Sequence, residues 1–156
     1  MSVTQATATD TAATAPRVLI VDDERYLTSI VSLKLRQAGY EVEVTGDGEE
    51  ALVAAREAAA AGRGFDVIVT DFQMPIMSGL DLCQQLKAEP ATANVPVVML
   101  TARGHEIPPG ETDTTNIRSL MAKPFSAREL VEKVREILGP AVGTPAAGEG
   151  PEANAA

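Results

Sequence analysis

The sequence predicts an α/β fold, a doubly wound sheet of five parallel strands with helices on both faces. Two observations carry that prediction. Short apolar runs of strand length alternate with stretches of helical periodicity, joined by short loops. Such alternation implies right-handed crossovers and a parallel sheet. In addition, four apolar runs each lead into a reactive residue. They are Val18-Leu19-Ile20-Val21 before Asp22-Asp23, Val67-Ile68-Val69-Thr70 before Asp71, Val97-Val98-Met99-Leu100 before Thr101, and Leu120-Met121-Ala122 before Lys123. Strands of one parallel sheet bring their carboxyl ends to a common edge, and open α/β sheets bind ligands there.

The elements follow in order. Residues 17–21 are a strand rich in Val, Leu and Ile, the composition of a strand buried on both faces. Leu27, Ile30, Val31, Leu35 and Ala38 recur at helical spacing, and Gly39 stops that helix. Residues 41–45 alternate Val with Glu, as an edge strand does. Asp47 is placed to cap a second helix with Glu50 three residues on, and its Ala-rich body runs to about Ala61, before Gly62. Residues 65–70 are the most continuous apolar run and are expected at the centre of the sheet. Ser78-Gly79-Leu80-Asp81 starts a third helix that carries Leu82 and Leu86 and stops before Pro90. Residues 96–100 and 117–122 are the fourth and fifth strands. Ser126-Ala127-Arg128-Glu129 is a capping box, and Leu130, Val134, Ile137 and Leu138 form the apolar stripe of the helix behind it, ended by Gly139-Pro140. Between the fourth and fifth strands, Gly104-His105-Glu106-Ile107-Pro108-Pro109-Gly110 holds two adjacent prolines and two glycines. That composition opposes a full helix and predicts a loop with at most one helical turn.

Composition bounds the function. The 156 residues suffice for one domain with a real core. Only 3% are aromatic and none is Trp, so the core must be aliphatic. The formal net charge of -9 repels nucleic acid and anionic lipid, which argues against direct binding to either. The single cysteine, Cys83, forbids an internal disulfide, and the chain reads as cytoplasmic. No signal peptide and no membrane-length apolar run is visible. Residues 1–15 read as a disordered leader, 16–139 as one compact domain and 140–156 as a disordered tail.

Three carboxylates, a hydroxyl and an ammonium at one sheet edge suit a divalent cation and a phosphoryl group. Four motifs sharpen that reading: Val21-Asp22-Asp23-Glu24; Thr70-Asp71-Phe72-Gln73-Met74-Pro75 with Ser78-Gly79 behind it; Leu100-Thr101-Ala102; and Lys123-Pro124-Phe125. In this order, each at a strand end, they resemble the receiver domains of two-component response regulators, over residues 17–138. The resemblance implies a flavodoxin-like strand order 2-1-3-4-5. It implies that Asp71 is the phosphoacceptor, and that Asp22, Asp23 and Asp71, with the Gln73 backbone carbonyl, hold Mg²⁺ or Mn²⁺. Lys123 would pair with a phosphoryl oxygen, and Thr101 would donate a hydrogen bond to it. The donor would be a sensor histidine kinase or a histidine phosphotransfer protein. Output would be protein contact with a downstream partner, with a homodimer as one possible form. The only catalysis implied is Mg²⁺-dependent phosphorylation and dephosphorylation of the domain's own aspartate, so an enzyme acting on other substrates is not expected.

Two features depart from the family. The position three before the lysine is commonly Tyr or Phe and here is Leu120. The fourth helix of the family is replaced by the Pro108-Pro109 loop. Output is therefore expected through loop ordering or through the last helix. The tail is too short and polar to fold, so a single-domain regulator or relay intermediate is expected. A phosphate-independent scaffold of the same fold is the alternative, opposed by the complete set of reactive residues. A small hydrolase with an aspartyl-phosphate intermediate ranks last, because the carboxyl it needs two residues after the nucleophile is replaced by Gln73. Glu24 reads as a solvated helix-start charge or an outer group of the site. His105 reads as a surface residue, Cys83 as a small buried one, and Met74 and Met77 as loop packing.

Overall fold

The computed structural model describes residues 15–102, 110 and 115–139. The elements run β1 (Arg17–Val21), α1 (Arg25–Gln37), β2 (Glu41–Thr45), α2 (Gly48–Ala60), β3 (Val67–Asp71), α3 (Gly79–Ala88), β4 (Val97–Thr101), β5 (Ile117–Ala122) and α4 (Ala127–Leu138). All neighbouring strands pair parallel, and the order is β2-β1-β3-β4-β5, as the resemblance implied. β3 is the central strand and is buried along its whole length, while the Glu/Val-alternating β2 lies at the edge.

Alternation along the strands sorts the aliphatic side chains onto two faces. Leu19, Val21, Ile68, Val97 and Met99 pack with Ala51, Leu52 and Ala55 of α2 and Leu82, Cys83 and Leu86 of α3. Val18, Ile20, Val67, Val69, Val98 and Leu100 pack on the other side with Val31 and Leu35 of α1 and Leu130, Val131 and Val134 of α4. Cys83 is buried as expected, and burial pushes its thiol up to about 12, which keeps it unreactive. Met74 and Met77 pack against the α2–α3 side.

The helix ends behave as their sequences dictate. Asp47 accepts from the Glu50 amide at 2.8 Å, and the Glu50 carboxylate takes the Gly46 amide at 3.0 Å. Ser78 with Asp81, and Ser126 with Glu129, form reciprocal capping boxes. Gly39, Gly62 and Gly139 have positive φ just past the ends of α1, α2 and α4. Among the described residues, α4 is the only helix after β4. The loop expected over residues 104–110 falls almost wholly outside the described residues, and so does His105. The leader and the tail also lie outside them, apart from Ala15. Among the described residues no helix is long and apolar enough to cross a membrane.

Candidate functional site

Backbone pairing carries the reactive residues to one rim. The Asp22 amide donates to the Thr45 carbonyl at 3.2 Å, continuing the β1–β2 ladder by one residue. The Phe72 amide donates to Leu100 at 2.8 Å, and the Lys123 amide to Thr101 at 2.7 Å. Asp71 and Thr101 are therefore the last residues of β3 and β4, rather than the first of the following loops. The peptide bond between Lys123 and Pro124 is cis.

Asp22, Asp23 and Asp71 each offer a carboxylate oxygen, and these oxygens lie within 4.8 Å of one another. Asp22 and Asp71 are buried and Asp23 is exposed. Burial, followed by the charge of Asp22, pushes the Asp71 carboxyl above its ordinary value. The Lys123 ammonium and the Gln73 backbone amide act in the opposite direction. The Lys123 Nζ lies 3.0 Å from Glu24 Oε1, 3.2 Å from Asp22 Oδ2 and 3.4 Å from Asp71 Oδ1. Burial alone would lower its pKa, but the three carboxylates outweigh burial and hold it above the usual lysine value. The rim's four carboxylates, set against its one ammonium, leave three formal negative charges there. Closely spaced oxygen donors with excess negative charge are the donor set a hard divalent cation prefers.

Thr101 is 0% exposed, and its Oγ1 has no hydrogen-bond partner among the described residues. The neighbouring buried threonines differ, for Thr70 Oγ1 donates to the Asp71 carbonyl at 3.0 Å and Thr45 Oγ1 to the Ile20 carbonyl at 3.4 Å. An unpaired buried hydroxyl carries a desolvation cost. Thr101→Val, which keeps the shape and removes the hydroxyl, is expected to raise stability by about 1 kcal/mol. Urea unfolding without phosphodonor measures this, and a destabilised variant would show that the hydroxyl already has an acceptor.

Gln73 is exposed in the loop after β3, and Ala102 is exposed after β4. Leu120 is 40% exposed on the edge strand β5. Two residues have contacts that sequence reasoning did not specify, one of them Glu24, read there as a solvated charge or an outer group of the site. Glu24 contacts Lys123 directly, and the signal available was a third carboxylate following the Asp pair with a single lysine to share. Gly79 lies so close to β3 that a Cβ there would stand 2.3 Å from the Asp71 carbonyl oxygen, and the sequence offered only its place behind Ser78.

A parallel sheet wound in this order, with its acidic rim facing a lysine, defines a receiver. The model of the response regulator receiver domain matches residues 18–135, and the chain belongs to that family. It is 40% identical over 121 residues to the sensory transduction protein RegX3 of Mycolicibacterium smegmatis, covering 78% of this chain and 50% of that protein. The chain thus spans about half the length of the curated relatives it matches. Among solved structures it is similar to the chemotaxis response regulator CheY4 of Vibrio cholerae, with TM-score 0.71, 33% identity and coverage of 80% of this chain and 100% of that one. It is also similar to TrrA of Thermotoga maritima, solved in complex with Mg²⁺-BeF, with TM-score 0.65, 28% identity and coverage of 79% and 99%.

Proposed function

We propose that the domain takes a phosphoryl group onto Asp71 from a phosphohistidine on a sensor kinase or phosphotransfer protein, in the cytoplasm, and signals by protein contact. The observation that carries this reading is Thr101. A hydroxyl left buried without a partner, one residue beyond the β4 position paired with Asp71, is a donor waiting for an acceptor that arrives later.

In the transfer, an Asp71 carboxylate oxygen attacks phosphorus, and the imidazole leaves with the electrons of the P–N bond. Asp22, Asp23, Asp71 and the Gln73 backbone carbonyl would hold Mg²⁺ or Mn²⁺. Bound there, the cation would offset charge developing on the transferred oxygens. Lys123 pairs with a phosphoryl oxygen, and Thr101 Oγ1 donates to another. Hydrolysis of the acyl phosphate runs at the same rim, with Gln73 near the path of water. The only chemistry proposed is this turnover on the domain's own aspartate. Tyr26 (82% exposed) and Ile30 and Leu33 at helical spacing behind it give α1 an apolar stripe that suits a protein donor. Ile76, 90% exposed with φ 72°, projects from the loop that follows Asp71.

Intact mass after incubation with an acyl phosphate and Mg²⁺ tests the proposal. One added phosphoryl group, blocked by EDTA, is the expected result, and an unchanged mass counts against it. Metal should also stabilise the fold. At about a hundred times its dissociation constant Mg²⁺ would add roughly 2.7 kcal/mol. Asp23→Ala should abolish that gain in a thermal melt, and a variant that still responds to Mg²⁺ like wild type would remove Asp23 from the ligand set.

A further inference from the structure

We propose that Glu24 is a detachable counter-ion for Lys123: it occupies the ammonium in the resting domain and slows the entry of anionic phosphodonors. The inference rests on the phosphoacceptor reading and adds a residue that tunes it. Of the three carboxylates around Lys123 Nζ, Glu24 is the nearest, at 3.0 Å. It is also the only one free to leave. The Asp22 side chain is 1% exposed and fixed by the Glu24 amide at 2.9 Å, Asp71 is buried, and the Glu24 side chain is 59% exposed.

Glu24 occupies the N-cap position of α1, yet its side chain makes no capping hydrogen bond. The carboxylate is directed to Lys123 instead, so its removal takes no capping hydrogen bond from the helix. With Leu27, Ala102, Lys123, Pro124 and Phe125, Glu24 also lines an open cleft of about 390 Å³ beside the reactive rim. A donor phosphoryl reaching Lys123 past this cleft meets the Glu24 charge and must displace it. The side chain then swings into solvent, and the ammonium exchanges a carboxylate for a phosphoryl oxygen. Glu24 is thus a positioning residue, acting through Lys123 on the energy of the approaching anion.

The test compares wild type, Glu24→Gln and Glu57→Gln in acetyl phosphate and Mg²⁺, where acetate leaves as Asp71 Oδ bonds to phosphorus. Glu57 is an exposed acid on α2 and controls for net charge. Intact mass gives the second-order rate, and ¹⁹F NMR gives the affinity for trifluoroberyllate, a phosphoryl stand-in. For E24Q at low salt both should rise roughly three- to tenfold, the scale of one partly screened charge, and the gain should shrink towards unity near 1 M salt. E57Q should match wild type. An E24Q rate equal to or below wild type, or a gain that salt leaves unchanged, overturns the inference while leaving the phosphoacceptor reading intact. Wild type that takes neither acetyl phosphate nor trifluoroberyllate sinks that reading and this inference with it.

Discussion

Asp71→Asn should abolish phosphoryl uptake and, without metal, raise the melting temperature. The two effects have one origin. Asp71 is buried beside Asp22, and both burial and that charge oppose its ionised form. A cation bound at the rim would relieve that opposition. Asparagine keeps the size, removes the charge and cannot form the acyl phosphate. Incubated with acetyl phosphate and Mg²⁺, the variant should show no added mass where wild type shows one phosphoryl group. In EDTA its melt should lie higher by roughly 2–6 °C. A variant labelled like wild type would move the phosphoryl group to another side chain. A variant melting lower would mean that the Lys123 contact at 3.4 Å stabilises more than the like-charge contact costs.

Gly79→Ala should damage the fold and the chemistry together. The added Cβ would meet the Asp71 carbonyl oxygen at 2.3 Å and Met99 Sδ at 2.8 Å. Met99 has three rotatable bonds and can yield, but the Asp71 carbonyl belongs to the central strand. The Gly79 amide also donates to the Phe72 carbonyl at 2.9 Å, so α3 cannot draw back without losing that bond. Overpacking of this kind costs about 2–3 kcal/mol, a fall in melting temperature on the order of 10 °C. Because the clash is with Asp71 itself, acetyl phosphate labelling of the folded variant should slow by at least about tenfold, as expected when a nucleophile is moved from its working position. A melt and a labelling rate indistinguishable from wild type would show that α3 shifts freely.

Much of this architecture is written locally. Ser126 with Glu129 forms the capping box that the spacing suggests, and the Val/Glu alternation of residues 41–45 places that strand at the edge. Strand limits are less legible. Residues 65 and 66 look like strand, yet β3 begins at Val67. Phe65 packs into the core, while the Asp66 carboxylate takes the Arg17 amide at 2.7 Å, so side-chain burial and ladder pairing part company there. At the other end, pairing extends through Asp71 and Thr101, because hydrogen bonds from Phe72 and Lys123 continue the ladder. The rim was legible as a set of reactive types at strand ends. Its pairwise choices were not. Nothing local says that Lys123 is shared among three acids, two of them about 100 residues away in sequence, or that the Thr101 hydroxyl goes unpaired, since both depend on tertiary packing.

The chemical groups stand past the final aliphatic residue of each strand, and none of them belongs to either packed cluster. Their replacement leaves the two aliphatic clusters themselves unchanged, and acts on stability through charge and hydrogen bonding instead. An arrangement of this kind would let exposed border residues such as Glu24, Gln73 or Ala102 vary, and with them the proposed chemistry, while both clusters beneath stay intact.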